Sequence, residues 1–397
     1  MKKVIGIQTT FIFLLLALLI LYCTVYCEEE NNSWEKTYGG SERDVALSIV
    51  QTKDDGYAVS GFTRSKGKGK SDAWILKLNE TGNIIWDKLY GRSENDVANS
   101  IIQTKDGGFA ISGYTIFKDL GEADLFILKL DEAGNKIWDK IFFGRNWDTA
   151  YTIIETKDEA FIIVGYTWSK GAGKSDAWVI KLDSNGNMLW NKTFGGDEND
   201  EAHSIIQTEE GNFVIAGKTK SKGKGKWDAW IIKLDEQGNI DWDNTFGGSE
   251  DDCAYAITET KDGGYVFSGY TMSEGNGKED VLVVKLDDEG NILWNKTFGG
   301  IHEDIAKSLV KEENGDFIIA GETKSIGAGK WDAWIIKLDE KGQSKWVKTI
   351  GGQSWDSISS IIKTKDKEYI AVGWTMSKGA GEADAWVIKL DEEAEVK

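Results

Sequence analysis

The chain has 397 residues, with 66 acidic against 47 basic side chains and a formal charge of −19. That balance argues against nucleic acid as a partner, because phosphate binding needs a basic surface. Acidic charge also keeps an exposed protein soluble. Of three cysteines, Cys23 and Cys27 lie near the N-terminus and only Cys253 lies beyond, so no intrachain disulfide is available to the rest of the chain.

Residues 1–27 begin MKK and continue as an uncharged apolar stretch from Val4 to Cys27. A basic start followed by an apolar segment reads as a signal peptide. The stretch is also long enough to serve as an uncleaved N-terminal membrane anchor. Both readings stay open. Lipidation is disfavoured, because Cys23 and Cys27 each follow a tyrosine. In either case Lys2 and Lys3 stay cytoplasmic, and the chain from residue 28 onward is expected to be extracytoplasmic, either secreted or anchored to the cell membrane. Residues 28–33 make a short linker, so membrane contact is expected only through residues 4–27, if these are retained. Asn31, Asn79, Asn191 and Asn295 open N-x-Ser/Thr sequons, acceptors for glycans on an exported chain.

From Trp34 onward the sequence repeats every 52 residues. Trp34, Trp86, Trp138, Trp190, Trp242, Trp294 and Trp346 keep that beat, as do Gly61, Gly113, Gly165, Gly217, Gly269, Gly321 and Gly373. So do Asp44, Asp96, Asp148, Asp200, Asp252, Asp304 and Asp356. Periods of this length belong to solenoids or propellers. In the fourth copy, runs at 202–208, 213–219, 229–234 and 240–246 are rich in β-branched and aromatic residues. They predict four antiparallel strands joined by turns such as KDGG and D-E-x-G-N. Gly and Asn in those turns accept the positive φ that tight hairpins need.

The chain ends predict how the repeats close. Residues 34–38 are the tail of a unit with no preceding strands, and the last unit, 356–390, stops after its third strand. An open solenoid would need distinct capping repeats, whereas a closed ring does not. Residues 34–397 are therefore expected to form one all-β domain. It is a seven-bladed β-propeller of four-stranded antiparallel blades, closed by the N-terminal strand completing the last blade.

The segment KLDExGNxxW, carried in the fourth copy by Leu234, Asp235, Gly238 and Trp242, resembles the tryptophan-docking motif of pyrroloquinoline-quinone-type propeller repeats. In that motif a fourth-strand Trp packs between neighbouring blades. The copies match it closely, with Asn79 replacing Asp in the first and a looser last copy. The GG-x-x-x-D, G-x-T and D-x-W signatures are also similar to β-propeller arrays of secreted and surface proteins. The resemblance implies a fold and leaves activity open, since such repeats serve many functions. Quinoprotein enzymes of this type carry eight blades, a calcium site and a pair of adjacent cysteines. Seven copies and no Cys-Cys pair make quinone chemistry improbable here, and no cofactor or metal is expected.

Residues repeated seven times are first assigned structural duties. The Asp44–Asp356 series follows a Gly-Gly turn and should cap backbone N–H groups. A second series, Asp72, Asp124, Asp176, Asp228, Asp280, Asp332 and Asp384, opens the third strand and should do similar work. Loops such as SKGKGKSD imitate a phosphate loop, but the first glycine of that motif is missing: Arg64 and Trp168 stand there. The repeat tryptophans read as core. A mid-strand lysine (Lys77, Lys129, Lys181, Lys233, Lys285, Lys337, Lys389) predicts an ion pair with an acidic group of its own or the adjacent blade, repeated around the ring.

Function is sought where the copies differ. On the face bearing the loops into the first strand and between the second and third, the residue before the repeated Asp runs Arg43, Asn95, Trp147, Asn199, Asp251, Glu303, Trp355. The second loop adds Trp168, Trp227 and Trp331, and His302 lies nearby. Arg43, Trp147, Trp168, Trp227, His302, Trp331 and Trp355 are the candidate ligand-binding residues, tryptophans suited to stacking on sugar rings among groups that read hydroxyls. A surface glycan or an envelope protein is the expected partner of a monomeric, non-catalytic propeller. The alternatives are a glycan-cleaving hydrolase or lyase using carboxylates of this face, or an envelope-assembly scaffold.

Overall fold

The computed structural model describes residues 33–117 and 122–395. The leader and residues 28–32 of the linker lie outside them. Twenty-eight strands form seven four-stranded antiparallel sheets, and no helix occurs among the described residues. Six blades are continuous in sequence, at 44–90, 96–142, 148–194, 200–246, 252–298 and 304–350. The seventh combines 356–390 with Trp34–Tyr38, which pairs antiparallel with Asp384–Leu390 (Trp34 opposite Lys389, Tyr38 opposite Ala385). First strands of successive blades touch all the way round, the seventh against the first. The molecule is a closed seven-bladed β-propeller.

Burial within a blade follows its sequence. In blade four the second strand, Phe213–Thr219 (FVIAGKT), and the third, Asp228–Leu234 (DAWIIKL), are almost wholly buried. They read as continuous apolar runs because each of their faces meets a neighbouring blade. The outer strand, Ile240–Phe246 (IDWDNTF), is largely exposed or half-buried. The core is thus seven similar layers between blades, such as the one where Ile162, Val164, Val179, Phe213, Ile215 and Trp230 meet.

The repeat tryptophans sit between blades, half-buried and not interior as the sequence suggests. The fully buried indoles belong to the third strands, as at Trp178, Trp230 and Trp386. Six of the seven repeat indoles lie on the turn glycine of the next blade, and Trp346 packs in the cluster that holds Ala394, which stands at that place in the last blade. A Cβ on Gly82 would stand 2.6 Å from the Trp34 ring, and one on Gly238 3.0 Å from Trp190. The Trp34 indole N–H donates to Glu80 O at 3.2 Å, and its ring meets Tyr57 edge-on at 6.2 Å. Such an aromatic pair contributes about 1 kcal/mol beyond area burial.

Both aspartate series act as caps. Asp200 is fully buried and accepts from the Gly196 N–H at 2.9 Å, from the Ser221 hydroxyl at 2.6 Å, and from the Thr219 hydroxyl. Asp228 closes the SKGKGKWD loop by accepting from the Lys224 and Gly225 N–H groups at 3.1 and 2.9 Å. The loop amides that a phosphate would need are thereby already occupied. The lysine pairs form in six blades, for instance Lys77–Asp54 and Lys129–Asp106 at 2.9 Å, and Lys337–Glu312 at 2.8 Å. Lys233 is the exception. Its blade offers Glu210 where the first offers Asp54, and the amine instead meets Asp288 O at 3.4 Å and the Tyr265 ring at 5.7 Å.

Candidate ligand-binding site

Two backbone devices place the variable side chains. The first is a seam bond. The N–H of six of the repeated aspartates reaches back to the previous blade, as from Asp96 to Ser71 O at 2.9 Å, Asp252 to Trp227 O at 2.8 Å and Asp356 to Trp331 O at 2.9 Å. Short parallel bridges adjoin these bonds, pairing Ser71 with Asn95, Trp227 with Asp251, Trp331 with Trp355, and Ala383 with Arg43. The two variable loop positions thus become neighbours across these four seams, and only between blades six and seven does the pair consist of two tryptophans.

The second device is a β-bulge in every first strand. Ala150 pairs with Gly165 and Thr152 with Val164, leaving Tyr151 as the extra residue. Bulges re-aim a side chain at the cost of one ladder position. They also explain the repeated glycine: a Cβ on Gly165 would lie 1.9 Å from Thr149 O. Around the ring the bulged residue is Leu47, Asn99, Tyr151, His203, Tyr255, Lys307 and Ser359, so that only tyrosine occurs twice. They line a central cavity of ≈ 690 Å³ together with Arg43, Glu201, Lys218 and Trp374.

That cavity is lopsided. Over blades three to five, the His203 ring meets Tyr151 at a tilt and Tyr255 edge-on, with ring centroids 4.8 and 5.0 Å apart. His203 is 9% exposed, and its Nε2 lies 3.5 Å from the Glu201 carboxylate without a hydrogen bond. Burial, reinforced by the charge of Lys218, pushes the imidazole down to about 3, so it is neutral at physiological pH. Burial raises the Glu201 carboxyl, although Lys218 at 3.4 Å pulls the other way. Burial also pushes the Cys253 thiol up to about 12, which leaves it inert as a nucleophile. On the far side Lys307 is paired with Glu322 at 2.7 Å, and the wall is made by the non-aromatic Ser359 and Leu47.

A second cavity, of ≈ 540 Å³, opens on that side, at the seams joining blades six, seven and one. Arg43, Glu322, Trp331, Trp355, Trp374, Met376 and Glu382 line it. Arg43 and Trp374 border both cavities, with the guanidinium 5.6 Å from the Trp374 ring. Of the seven candidate residues, the structure therefore brings together Arg43, Trp331 and Trp355. Trp147 and Trp168 form a separate pair in blade three, joined by a backbone bond of 3.0 Å, and both stand about two-fifths exposed. Trp227 faces two amines, Lys218 at 4.3 Å and Lys220 at 4.7 Å. His302 is exposed on the rim, where its N–H makes the bond to Ser325 that other blades also make, and it borders neither cavity.

Sequence reasoning missed Trp374, Glu322 and the bulge residues. The signal was present, because those positions also vary among the copies. What hid it is that they fall inside strands, where variation reads as packing.

The closed ring of seven four-stranded blades defines the class of the protein as a seven-bladed β-propeller. No known protein family matches the chain. A regulatory protein of Caulobacter vibrioides, FlaEY, is 25% identical over 187 residues, 40% of this chain and 20% of that protein. The match thus spans only about a fifth of its relative's length. Among solved structures, a puromycin hydrolase superposes with a TM-score of 0.56 at 11% identity, over 91% of this chain and 54% of that one. The Neurospora crassa Pan2 WD40 domain gives 0.52 at 10% identity, over 91% and 96%. BBS1N, solved in complex with ARL6DN, gives 0.51 at 9%, over 92% and 97%. These likenesses concern the fold.

Proposed function

We propose that this chain is an extracytoplasmic, monomeric, non-catalytic interaction propeller that binds a surface glycan through its loop face. The repeats are read as the tryptophan-docking type, a reading supported by six of the seven repeat indoles lying on the next blade's turn glycine. The observation that carries the proposal is the cavity at blades six, seven and one. It holds three tryptophans outside the repeat register beside a guanidinium and two carboxylates. Indole faces stack on the apolar faces of sugar rings, while fixed charged groups read the hydroxyls.

Binding of the full-length chain to a glycan and polysaccharide array tests this, with bound sugars recovered and sized afterwards. Retained, uncleaved glycan is the expected result. Shortened glycan would establish the hydrolase or lyase alternative. Binding to envelope protein but to no sugar would replace the glycan with a protein partner.

A further inference from the structure

Only four of the 47 basic residues are arginines, Arg43, Arg64, Arg92 and Arg145. All four are exposed on loops of one face, over blades one to three. Every ion pair among the described residues uses a lysine as its cation, and none uses an arginine. In a chain with acid in such excess, the cations best suited to pairing make no ion pair among the described residues.

Their settings hold them ready. Arg43 lies 5.6 Å from Trp374 and 6.0 Å from Phe62, and Arg92 lies 4.6 Å from Phe117. Stacking fixes the guanidinium plane and leaves its N–H edges free. Arg64 is tied to Arg43 by a backbone bond of 3.0 Å, and Arg145 stands two residues before Trp147. The carboxylates nearby are mostly committed: Glu94 to Lys70 and Glu322 to Lys307, both at 2.7 Å, and Asp44 and Asp96 to turn N–H groups at 2.8 and 2.7 Å. Glu42, Glu122 and Glu382 are in no ion pair among the described residues, and neither are the four guanidinium groups. A planar fork of donors matches carboxylate and sulfate oxygens two at a time, which an ammonium does not.

We propose that the loop face over blades one to three recognises the carboxylate or sulfate groups of an acidic polysaccharide. This rests on the glycan reading above and names the class of sugar polymer. The arginines take the anionic groups, and the adjoining tryptophan cavity takes a ring.

The full-length chain is titrated with polygalacturonate, dextran sulfate and neutral dextran. Arg43→Gln/Arg64→Gln/Arg145→Gln and the corresponding triple lysine variant run beside it, each checked for an unchanged melting temperature. One of the acidic polymers should bind about tenfold tighter than dextran at low salt, and the preference should shrink as salt screens it. The glutamine variant should lose the preference and the lysine variant should restore only part of it. The stronger acidic polymer tells carboxylate from sulfate. Equal binding of acidic and neutral polymers, or a preference that survives the glutamine variant, overturns the proposal. Neutral-glycan binding that needs Trp331 and Trp355 but ignores the arginines would do so too, while leaving the tryptophan site standing. Binding to no polysaccharide at all overturns both.

Discussion

The seam between blades one and two and the seam between blades six and seven share one backbone and carry opposite chemistry. Both close through the N–H of a repeated aspartate, at 2.9 Å in each case, and both continue as a short parallel bridge. At the first the bridged residues are Ser71 and Asn95, whose side chains bond to each other at 3.0 Å. At the second they are Trp331 and Trp355, which instead face a cavity. An identical scaffold with different side chains separates what holds the ring together from what is free to bind.

The largest effect should come from the shared scaffold. Asp200→Ala removes the acceptor for two backbone amides and two hydroxyls at a fully buried position. A loss of about 3–5 kcal/mol in urea unfolding is expected. A loss below about 1 kcal/mol would contradict the capping role. Gly165→Ala should be comparably severe, because its Cβ would overlap Thr149 O at 1.9 Å.

Next comes the lopsided channel. An imidazole held near 3 takes no proton in the fold, while the unfolded chain takes one below about 6.5. The His203 contribution is therefore fully favourable above about 6.5 and is lost progressively as pH falls from there toward 3. His203→Gln should flatten the stability profile across that window. A profile unchanged by the substitution would show that the imidazole is solvated.

The Glu312 carboxyl works at the other end of the scale. Burial would raise it, but hydrogen bonds from Lys337, Lys363 and Tyr369 outweigh burial and hold it at about 2. Its stabilisation is present above the unfolded value near 4.3 and is lost as pH falls through about 2. Glu312→Gln should remove that acid-side loss, read as a shallower fall in melting temperature between those limits.

The smallest effect tests the irregular blade. Glu210→Asp should give Lys233 the partner that Lys77 and Lys129 have in Asp54 and Asp106, with a gain of about 0.5 kcal/mol. No gain would mean that the longer glutamate is not what keeps the pair apart.

The fold was legible because its rules repeat. A 52-residue beat, turn residues at fixed offsets, a lone strand at 34–38 and a last unit one strand short specify blades, ring and closure without any side-chain geometry. The site was legible only in part. Trp331 and Trp355 stand out as departures from the repeat, but nothing in their separation by 24 residues says that a seam bond makes them neighbours. Trp227 has the same origin and ends beside two lysines. The bulge residues were hidden because a one-residue slip in register, invisible to a period-two reading, decides which side chain faces the channel.

The central claim is that binding resides in the side chains of one seam and not in the seam architecture. The direct test is to measure the affinity of Trp331→Ala/Trp355→Ala and of Ser71→Ala/Asn95→Ala for the glycan selected on the array. Melting temperatures would serve as the control. Loss of binding in the first variant alone, with both folded, is the expected result. Equal binding by both variants, or equal loss, would contradict it.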